Sequence, residues 1–475
     1  AGNPELVLDT GGIVSTLGGA AAVTQHAPRK MGMVLRQDHP WEAGMYFYSS
    51  VVQHQGTVFL YYGCSGPANG TANFLCVATS TDGVAFTKPM LGLVEYNGST
   101  ANNIVWATPY GPNGHSGTGW SNAVLYDPRP TVLSAERFKL LYDTDAGEYA
   151  GRELLAAVSA DGLRWRPLRM ASSSNGAVVP RTNFGDTDAA LLWVDRLDRY
   201  VLFGRADAAT PGAHCVAGDS YGNFRQVAMV VEANCTEGDD AGSGSFASRC
   251  FNETPRVVFR TEPGTDPACV DYYNPSPLDR SGVTFIFPAA TRHLDQPRKN
   301  GTAFPSPYTS CRTMNDGFLD VRMAFSRLTD PGNATFTRIS SAPVVARGMG
   351  TRSLSTGLFD GGSEWDAGMV FMATGYVELA AEPGHLSMFY FGGQVTHGFE
   401  AYHLGESYPQ AVRGYGRLQW RRDGFASVST PFDGSVGVVT TKPVVVAPTP
   451  AAGAELRIVL NLETSVSGQA VVELF

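Results

Sequence analysis

The sequence predicts an all-β protein: a five-bladed β-propeller with a short C-terminal β-sandwich-like segment packed on it. Three observations carry that expectation. One local design recurs, a strand that ends in a polar turn followed by an apolar or aromatic residue. It reads Ser80-Thr81-Asp82-Gly83-Val84-Ala85-Phe86, Ser159-Ala160-Asp161-Gly162-Leu163-Arg164-Trp165, Gly218 to Phe224 and Ser326 to Asn333, with a looser copy at Trp420 to Phe425. Asp-Gly suits tight turns because Gly takes positive φ without penalty, and such a signal repeated along a strand-rich chain points to radial repetition. The composition agrees, with 54 Gly, 29 Pro and 11% aromatic residues. Finally, large apolar residues alternate with small or polar ones, the pattern of strands with two differently packed faces. The best helical pattern, around Leu133 to Leu141, is short.

Taken in order, residues 1–39 form an N-terminal lead-in, residues 40–425 the propeller and residues 426–475 the C-terminal strand segment, a partial β-sandwich. The first blade uses Tyr46 to Val52, Val58 to Tyr62 and Leu75 to Ser80. The second uses Trp120 to Tyr126, Phe138 to Tyr142 and Leu154 to Ser159. In the third, Ala189 to Val194 turns through Asp195 to Asp198 into Arg199 to Gly204. The fourth holds Asp271 to Asn274, Val283 to Phe287 and Val321 to Ser326, and the fifth Gly368 to Ala373, Leu386 to Phe391 and Gly416 to Trp420. Beyond Val428, three more strand-like runs are too few for a complete sandwich.

A formal net charge of −9, with no block of Lys or Arg, argues against nucleic acid as a partner, and no run of 18 apolar residues would span a membrane. The chain opens on Ala1-Gly2-Asn3-Pro4, as a cleaved secretory precursor would. Sequons at Asn69, Asn97, Asn234, Asn252, Asn300 and Asn333, each beside turn-forming residues, add to the expectation of a secreted or cell-surface glycoprotein. Cys64 and Cys76 lie on adjacent strands that would set them across from each other, so a disulfide is expected there. Cys215, Cys235, Cys250, Cys269 and Cys311 suggest two further bridges and one free thiol, with the pairing open. No Cys-x-x-Cys pair points to zinc.

First strands of blades line the channel of a propeller, so their polar residues should face a central pocket. Those strands supply Asp38, His39, Trp41 and Glu42 before blade one, Trp120 in blade two, and Asp186 and Asp188 in blade three. Asp271, Tyr272 and Tyr273 follow in blade four and Asp366 in blade five. Carboxylates held close raise one another's pKa, and a pair flanking a glycosidic bond is the machinery of glycoside hydrolysis. The alternative is that they cap strand ends or hold a cation: no cofactor is called for, but a structural Ca2+ at the axis would fit them. Trp41, Trp120, Tyr272, Tyr273 and Trp365 could stack on sugar faces, and His39, Arg322 and His397 could contact hydroxyl or carboxylate groups.

On these residues the chain resembles secreted five-bladed propellers of the glycosyl-hydrolase type, related to invertases, levansucrases and arabinanases. The run Asp186-Thr-Asp-Ala-Ala-Leu-Leu-Trp-Val to Arg205 is similar to their third-blade signature, Asp271-Tyr-Tyr to their fourth, and Pro40-Trp-Glu42 with Tyr46 to Val52 to their first. Thr441-Lys-Pro, Leu456 to Asn461 and Val472-Glu-Leu resemble their C-terminal segment. The resemblance implies a five-bladed fold, action on glycosides, and acidic roles for Glu42, Asp186 and Asp271. The invertase motif Trp-Met-Asn-Asp-Pro-Asn-Gly is absent; Arg36-Gln-Asp-His-Pro-Trp-Glu42 stands in its place.

The leading expectation is therefore a secreted glycosidase in which Asp38 or Glu42 is base or nucleophile, Asp186 orients it and Asp271 is the acid, with Glu378 and Glu382 as looser acid candidates. The alternative is a non-catalytic carbohydrate binder or component of a surface assembly on the same fold. A lyase using Tyr273, His39 and Arg322 is a third reading. Geometry separates the first two: a hydrolase needs open carboxyls across a pocket, whereas a binder would hold them paired with cations.

Overall fold

The computed structural model describes residues 14–43, 48–65, 73–107, 122–145, 152–170, 177–179, 184, 189–208, 224–233, 245–251, 254–267, 270–293, 317–352, 359–397, 412–431, 433–443 and 468–473. Among them the chain is all β, with 3-10 turns and no α-helix. It divides into two compact units, one of Ala1–Leu8 and Val23–Val428, the other of Asp9–Ala22 and Ser429–Phe475. In the second, Val14–Gly19 pairs antiparallel with Gly437–Thr441.

The large unit is a β-propeller arrangement in which, among the described residues, four sheets have four strands each. Ser49–His54, Thr57–Ser65, Asn73–Ser80 and Ile104–Ala107 form the first. Asn122–Tyr126, Phe138–Asp145, Arg152–Ser159 and Arg166–Leu168 form the second, and Ala190–Val194, Arg199–Ala208, Phe224–Val231 and Arg256–Phe259 the third. Leu278–Arg280, Val283–Ile286, Ala324–Ser326 and Thr337–Arg338 form another. A seven-stranded sheet runs from Val270–Tyr273 through Ala289–His293 and Gly317–Val321 to Met369–Met372, His385–Gly393, Arg413–Arg421 and Arg29–Arg36. Its two parts join at one parallel pairing, Leu319 with Met369.

Local chemistry explains these elements. Gln55 and Gly56, at φ of 49° and 79°, make a two-residue turn whose twist suits a hairpin, and Ser281-Gly282 does the same at 52° and 75°. The recurring polar turn is held by its own side chains. Ser80 Oγ accepts from Gly83 N at 2.8 Å, and Asp82 Oδ1 accepts from Val84 N and Ala85 N, both at 2.8 Å. Ser159 and Asp161 repeat those bonds at 2.9, 2.9 and 2.8 Å. The third copy lies outside the described residues, apart from strand Phe224–Val231.

Each turn also docks on a neighbouring sheet. Tyr61 of the first sheet donates its hydroxyl to the carbonyl of Gly162 in the second, at 3.0 Å, and Trp165 meets Tyr61 edge-on at 6.3 Å. Phe86, after the first turn, meets Phe389 edge-on at 5.5 Å. Alternate residues of one strand face different clusters: Val58, Leu60 and Tyr62 pack with Phe371 and Phe389, while Phe59 and Tyr61 pack with Phe138 and Leu140. The same period of two turns the region Leu133 to Leu141 away from helix. It is a 3-10 turn at Ser134–Glu136 and then strand Phe138–Asp145, with Phe138 and Leu140 in one cluster and Leu141 in another.

Cys64 and Cys76 form the expected disulfide, with their Cα atoms 6.0 Å apart. Cys250 is also disulfide-bonded; Cys215, Cys235, Cys269 and Cys311 lie outside the described residues. No helix among the described residues is long and apolar enough to cross a membrane.

Candidate functional site

In an antiparallel sheet, the start of the first strand, the end of the second and the start of the third share one edge. That edge collects most of the candidate residues. Segment 38–42 precedes Ser49–His54, Asp271 lies in Val270–Tyr273, Asp366 precedes Met369–Met372, His397 follows His385–Gly393, and Arg225 lies at the start of Phe224–Val231. Trp120, Asp186 and Asp188 lie outside the described residues.

Glu42 ends the 3-10 turn Pro40–Glu42, which Pro40 starts because its fixed φ and missing N–H suit a first helical position. Its carboxylate is completely buried and encircled by donors. Oε2 accepts from Asp38 N at 3.0 Å, His39 N at 3.1 Å and Lys88 Nζ at 2.7 Å, and Oε1 accepts from the Tyr62 hydroxyl at 2.5 Å. Burial, and then the Glu42 charge, push the Tyr62 hydroxyl well above the usual phenol range. Asn103 links this hub to Trp41: its Nδ2 donates to the Tyr62 hydroxyl and its Oδ1 accepts from Trp41 Nε1, both at 2.7 Å. His39 stacks on Trp41 with ring centroids 4.5 Å apart and planes 10° from parallel.

Asp38 is more open, with 61% of its side chain exposed, and Lys88 bonds it as well. What burial it has raises its carboxyl pKa, but Lys88, helped by His39, outweighs this and holds it below the ordinary value. Lys88 thus serves two carboxylates from a side chain only 7% exposed.

Asp271 is buried and accepts from Arg225 N at 3.1 Å, with Arg225 Nη1 3.7 Å from its other oxygen. Tyr273, two residues on and so on the same face, lies under the Arg225 guanidinium at 4.7 Å and beside His397 at 5.2 Å. Among the described residues its buried hydroxyl has no hydrogen-bond partner, and neither does Oγ1 of Thr291, the cross-strand neighbour of Asp271. Tyr272 takes the opposite face. Its hydroxyl donates to Asp266 at 2.5 Å and accepts from Arg338 at 3.2 Å, while its ring packs on Phe259.

The remaining candidates are also engaged. Asp366 accepts from Lys30 at 2.6 Å and from the Tyr390 hydroxyl at 3.0 Å, and is buried. Arg322, in the connection just after Gly317–Val321, donates to the Ser341 carbonyl, and so does not join Tyr273 and His39 in one constellation. Glu378 pairs with Arg280 at 3.1 Å and with Arg422. Glu382 receives Arg417 at 2.8 and 2.9 Å and Gln419 at 2.8 Å, and the Arg417 bonds hold its pKa below the usual value.

Two clusters therefore form at this edge, Asp38-His39-Trp41-Glu42 around Lys88 and Asp271-Tyr273-His397 around Arg225. Lys88, Arg225, Lys30 and Asn103 escape sequence reasoning because each reaches its partner from a distant part of the chain. Also unforeseen is a buried charge network joining the second and third sheets. Arg129 grips Asp127 through Nε at 2.9 Å and Nη2 at 2.7 Å, and the Tyr200 hydroxyl donates to Asp127 at 2.6 Å. Burial acts to raise the Asp127 carboxyl, and these bonds outweigh it and hold it low. Beside them Lys139, in an alternating strand that reads as half-exposed, is only 1% exposed. Its ammonium donates to the Glu136 carbonyl at 2.8 Å, and burial pushes it down to about 8. Among the described residues no three His, Cys, Asp or Glu side chains gather as metal ligands.

No protein-family model matches the sequence, and no curated protein matches it. Solved structures similar to this chain include a thermostable family-43 glycoside hydrolase, with a TM-score of 0.42 and 13% identity over 91% of this chain and 100% of that one. A β-1,2-mannobiose phosphorylase from Listeria innocua, in complex with β-1,2-mannobiose, gives 0.46 and 10% over 84% and 97%. An N-acetylgalactosamine deacetylase from F. plautii, in complex with blood group B trisaccharide, gives 0.45 and 12% over 84% and 95%. At such scores and identities these likenesses assign no role to any residue of the site.

Proposed function

We propose that this protein is a secreted, carbohydrate-binding β-propeller of the glycosyl-hydrolase type, which meets a glycan at the first-strand edge and holds it without cleaving it. One observation carries the reading: each described candidate carboxylate is paired with a cation. Lys88 takes Asp38 and Glu42, Arg225 takes Asp271, and Lys30 takes Asp366. A neighbouring cation favours the charged form of a carboxyl, the opposite of what a general acid needs near neutral pH. An oxygen already filled by donors, as in Glu42, also has no line to a substrate. Trp41, half-buried and held through Asn103, is the ring best disposed to stack on a sugar.

Five blades complete the proposed ring. The single Leu319–Met369 pairing supports reading the seven-stranded sheet as parts of a fourth and a fifth blade, and five core clusters alternate with five such units. Residues 426–475 are the partial sandwich, supported by the pairing of Gly437–Thr441. The disulfides support an oxidising, extracellular setting.

Hydrolysis is the second reading. It is favoured by Asp186-Thr-Asp188, two carboxyls whose place in the sequence is directly before the first strand of the third sheet. The test is a glycan array combined with a turnover panel of polysaccharides and aryl glycosides, run on wild type, Trp41→Ala, Asp186→Asn and Asp271→Asn. Binding that survives Asp186→Asn, falls at least about tenfold in Trp41→Ala and comes without turnover supports the binder. Turnover by wild type that disappears in both Asp variants, with folding intact, replaces it with the hydrolase.

A further inference from the structure

An open groove of about 350 Å3 lies on the flank of the third sheet, away from the edge that carries the candidate site. Leu197 and Met229 give it an apolar floor, and Arg199, Glu232, Thr254 and Arg256 give it polar walls. Pro331 and Gly332 form one lip, and the Arg256 guanidinium donates to both of their carbonyls. The next residue is Asn333, exposed at the end of the 3-10 turn Pro331–Asn333 and first in the sequon Asn333-Ala334-Thr335. Mixed apolar and hydrogen-bonding walls in a volume of this order suit a small polar ligand such as a pyranose.

We propose that Asn333 carries an N-linked glycan whose first sugar is seated in this groove, so that the protein's own modification fills it. The attachment needs an activated oligosaccharide on a lipid pyrophosphate, as supplied during secretion. The Asn333 amide nitrogen forms the new bond to the anomeric carbon, the bond from that carbon to the pyrophosphate oxygen breaks, and one amide proton is lost. The second amide proton stays, so the bond from Asn333 Nδ2 to Asp330 Oδ2, 2.7 Å long, can persist and aim the sugar along the lip. Asn97 is the internal contrast: it is an exposed sequon at φ 50°, and a Cβ on the adjacent Gly98 would meet nothing within 4 Å.

The experiment uses full-length protein secreted from a eukaryotic host. Glycopeptide mass spectrometry reads occupancy, and timed digestion with a peptide-N-glycanase reads release at Asn333 and Asn97, native and denatured. Occupancy at Asn333, with native release at least tenfold slower than at Asn97 and equal rates after denaturation, is expected. Arg256→Ala, which frees the lip, should accelerate native release at Asn333 alone. If that variant misfolds, the native-against-denatured comparison on wild type still decides. An unoccupied Asn333, or native release as fast as at Asn97, overturns the proposal.

Discussion

Glu42 separates a structural carboxylate from a catalytic one, and replacing it with Gln tests which it is. The side chain keeps its size, but one oxygen becomes an NH2 donor and the charge is lost. On Oε2 this sets a donor against Asp38 N, His39 N and Lys88; on Oε1 it faces the Tyr62 hydroxyl, which can turn to accept only by breaking its present bond. In either orientation Lys88, 7% exposed, loses its buried counter-charge and keeps only Asp38, whose side chain is 61% exposed. Removing one partner of a buried pair costs about 3–5 kcal/mol. Against the 5–15 kcal/mol typical of a folded domain, that is a loss of roughly a fifth or more. Denaturant titration of wild type, Glu42→Gln, Lys88→Met and the double variant measures it, and the double variant should lose less than the sum of the singles. If Glu42→Gln stays within about 0.5 kcal/mol of wild type, the reasoning fails, and loss of glycan turnover in that stable variant would make Glu42 catalytic.

Gly162→Ala should cost about 3 kcal/mol, because φ is +75° and the new Cβ would lie 2.3 Å from the Tyr61 hydroxyl and 2.9 Å from Phe138. Gly56→Ala, at φ +79° with nothing within 4 Å, should cost only about 1 kcal/mol; equal denaturation midpoints for the two would argue against turn docking between sheets. Lys139, buried and held at about 8 against an ordinary 10.5, carries fewer protons in the folded than in the unfolded chain between those values, so its contribution to stability is lowest below pH 8 and grows up to about pH 10.5. Wild type should therefore gain, relative to Lys139→Met, on the order of 3 kcal/mol over that window by pH-dependent unfolding; parallel curves would exclude the effect. Replacing Cys64 and Cys76 together by Ala opens a link spanning 12 residues, and calorimetry should register a loss of about 3 kcal/mol. No change in melting temperature would mean that the strand pairing alone holds that hairpin.

What was legible in the sequence was local. The turns at Ser80 and Ser159 announce themselves because the Ser, the Asp and the Gly each bond or bend within a few residues. Cys64–Cys76 is equally readable, since both cysteines sit on one hairpin. Fourth strands escaped because they are short and follow irregular stretches, as Ile104–Ala107 does. Arg29–Arg36 reads as lead-in, yet it pairs with Arg413–Arg421, a partner no nearby pattern reveals. Within the site, the carboxylates and aromatics could be named from strand starts, but their counter-charges could not. Lys88 approaches from beyond a turn, Arg225 from a third strand and Lys30 from near the other end of the chain. Period-two alternation would have separated Tyr272 from Tyr273, had the inward face been known.

The pairing of Arg29–Arg36 with Arg413–Arg421 has a consequence for biogenesis. Arg29–Arg36 is synthesised well before Arg413–Arg421 and must wait, unzipped, until that strand leaves the ribosome, because among the described residues it pairs with no other strand. Pairings this remote in sequence are slow to form, and an idle strand edge is an invitation to other chains. Holdase chaperones acting on the nascent protein should therefore dwell on the early segment, and premature termination before Arg413 should leave a product that clumps even though the middle sheets have already folded.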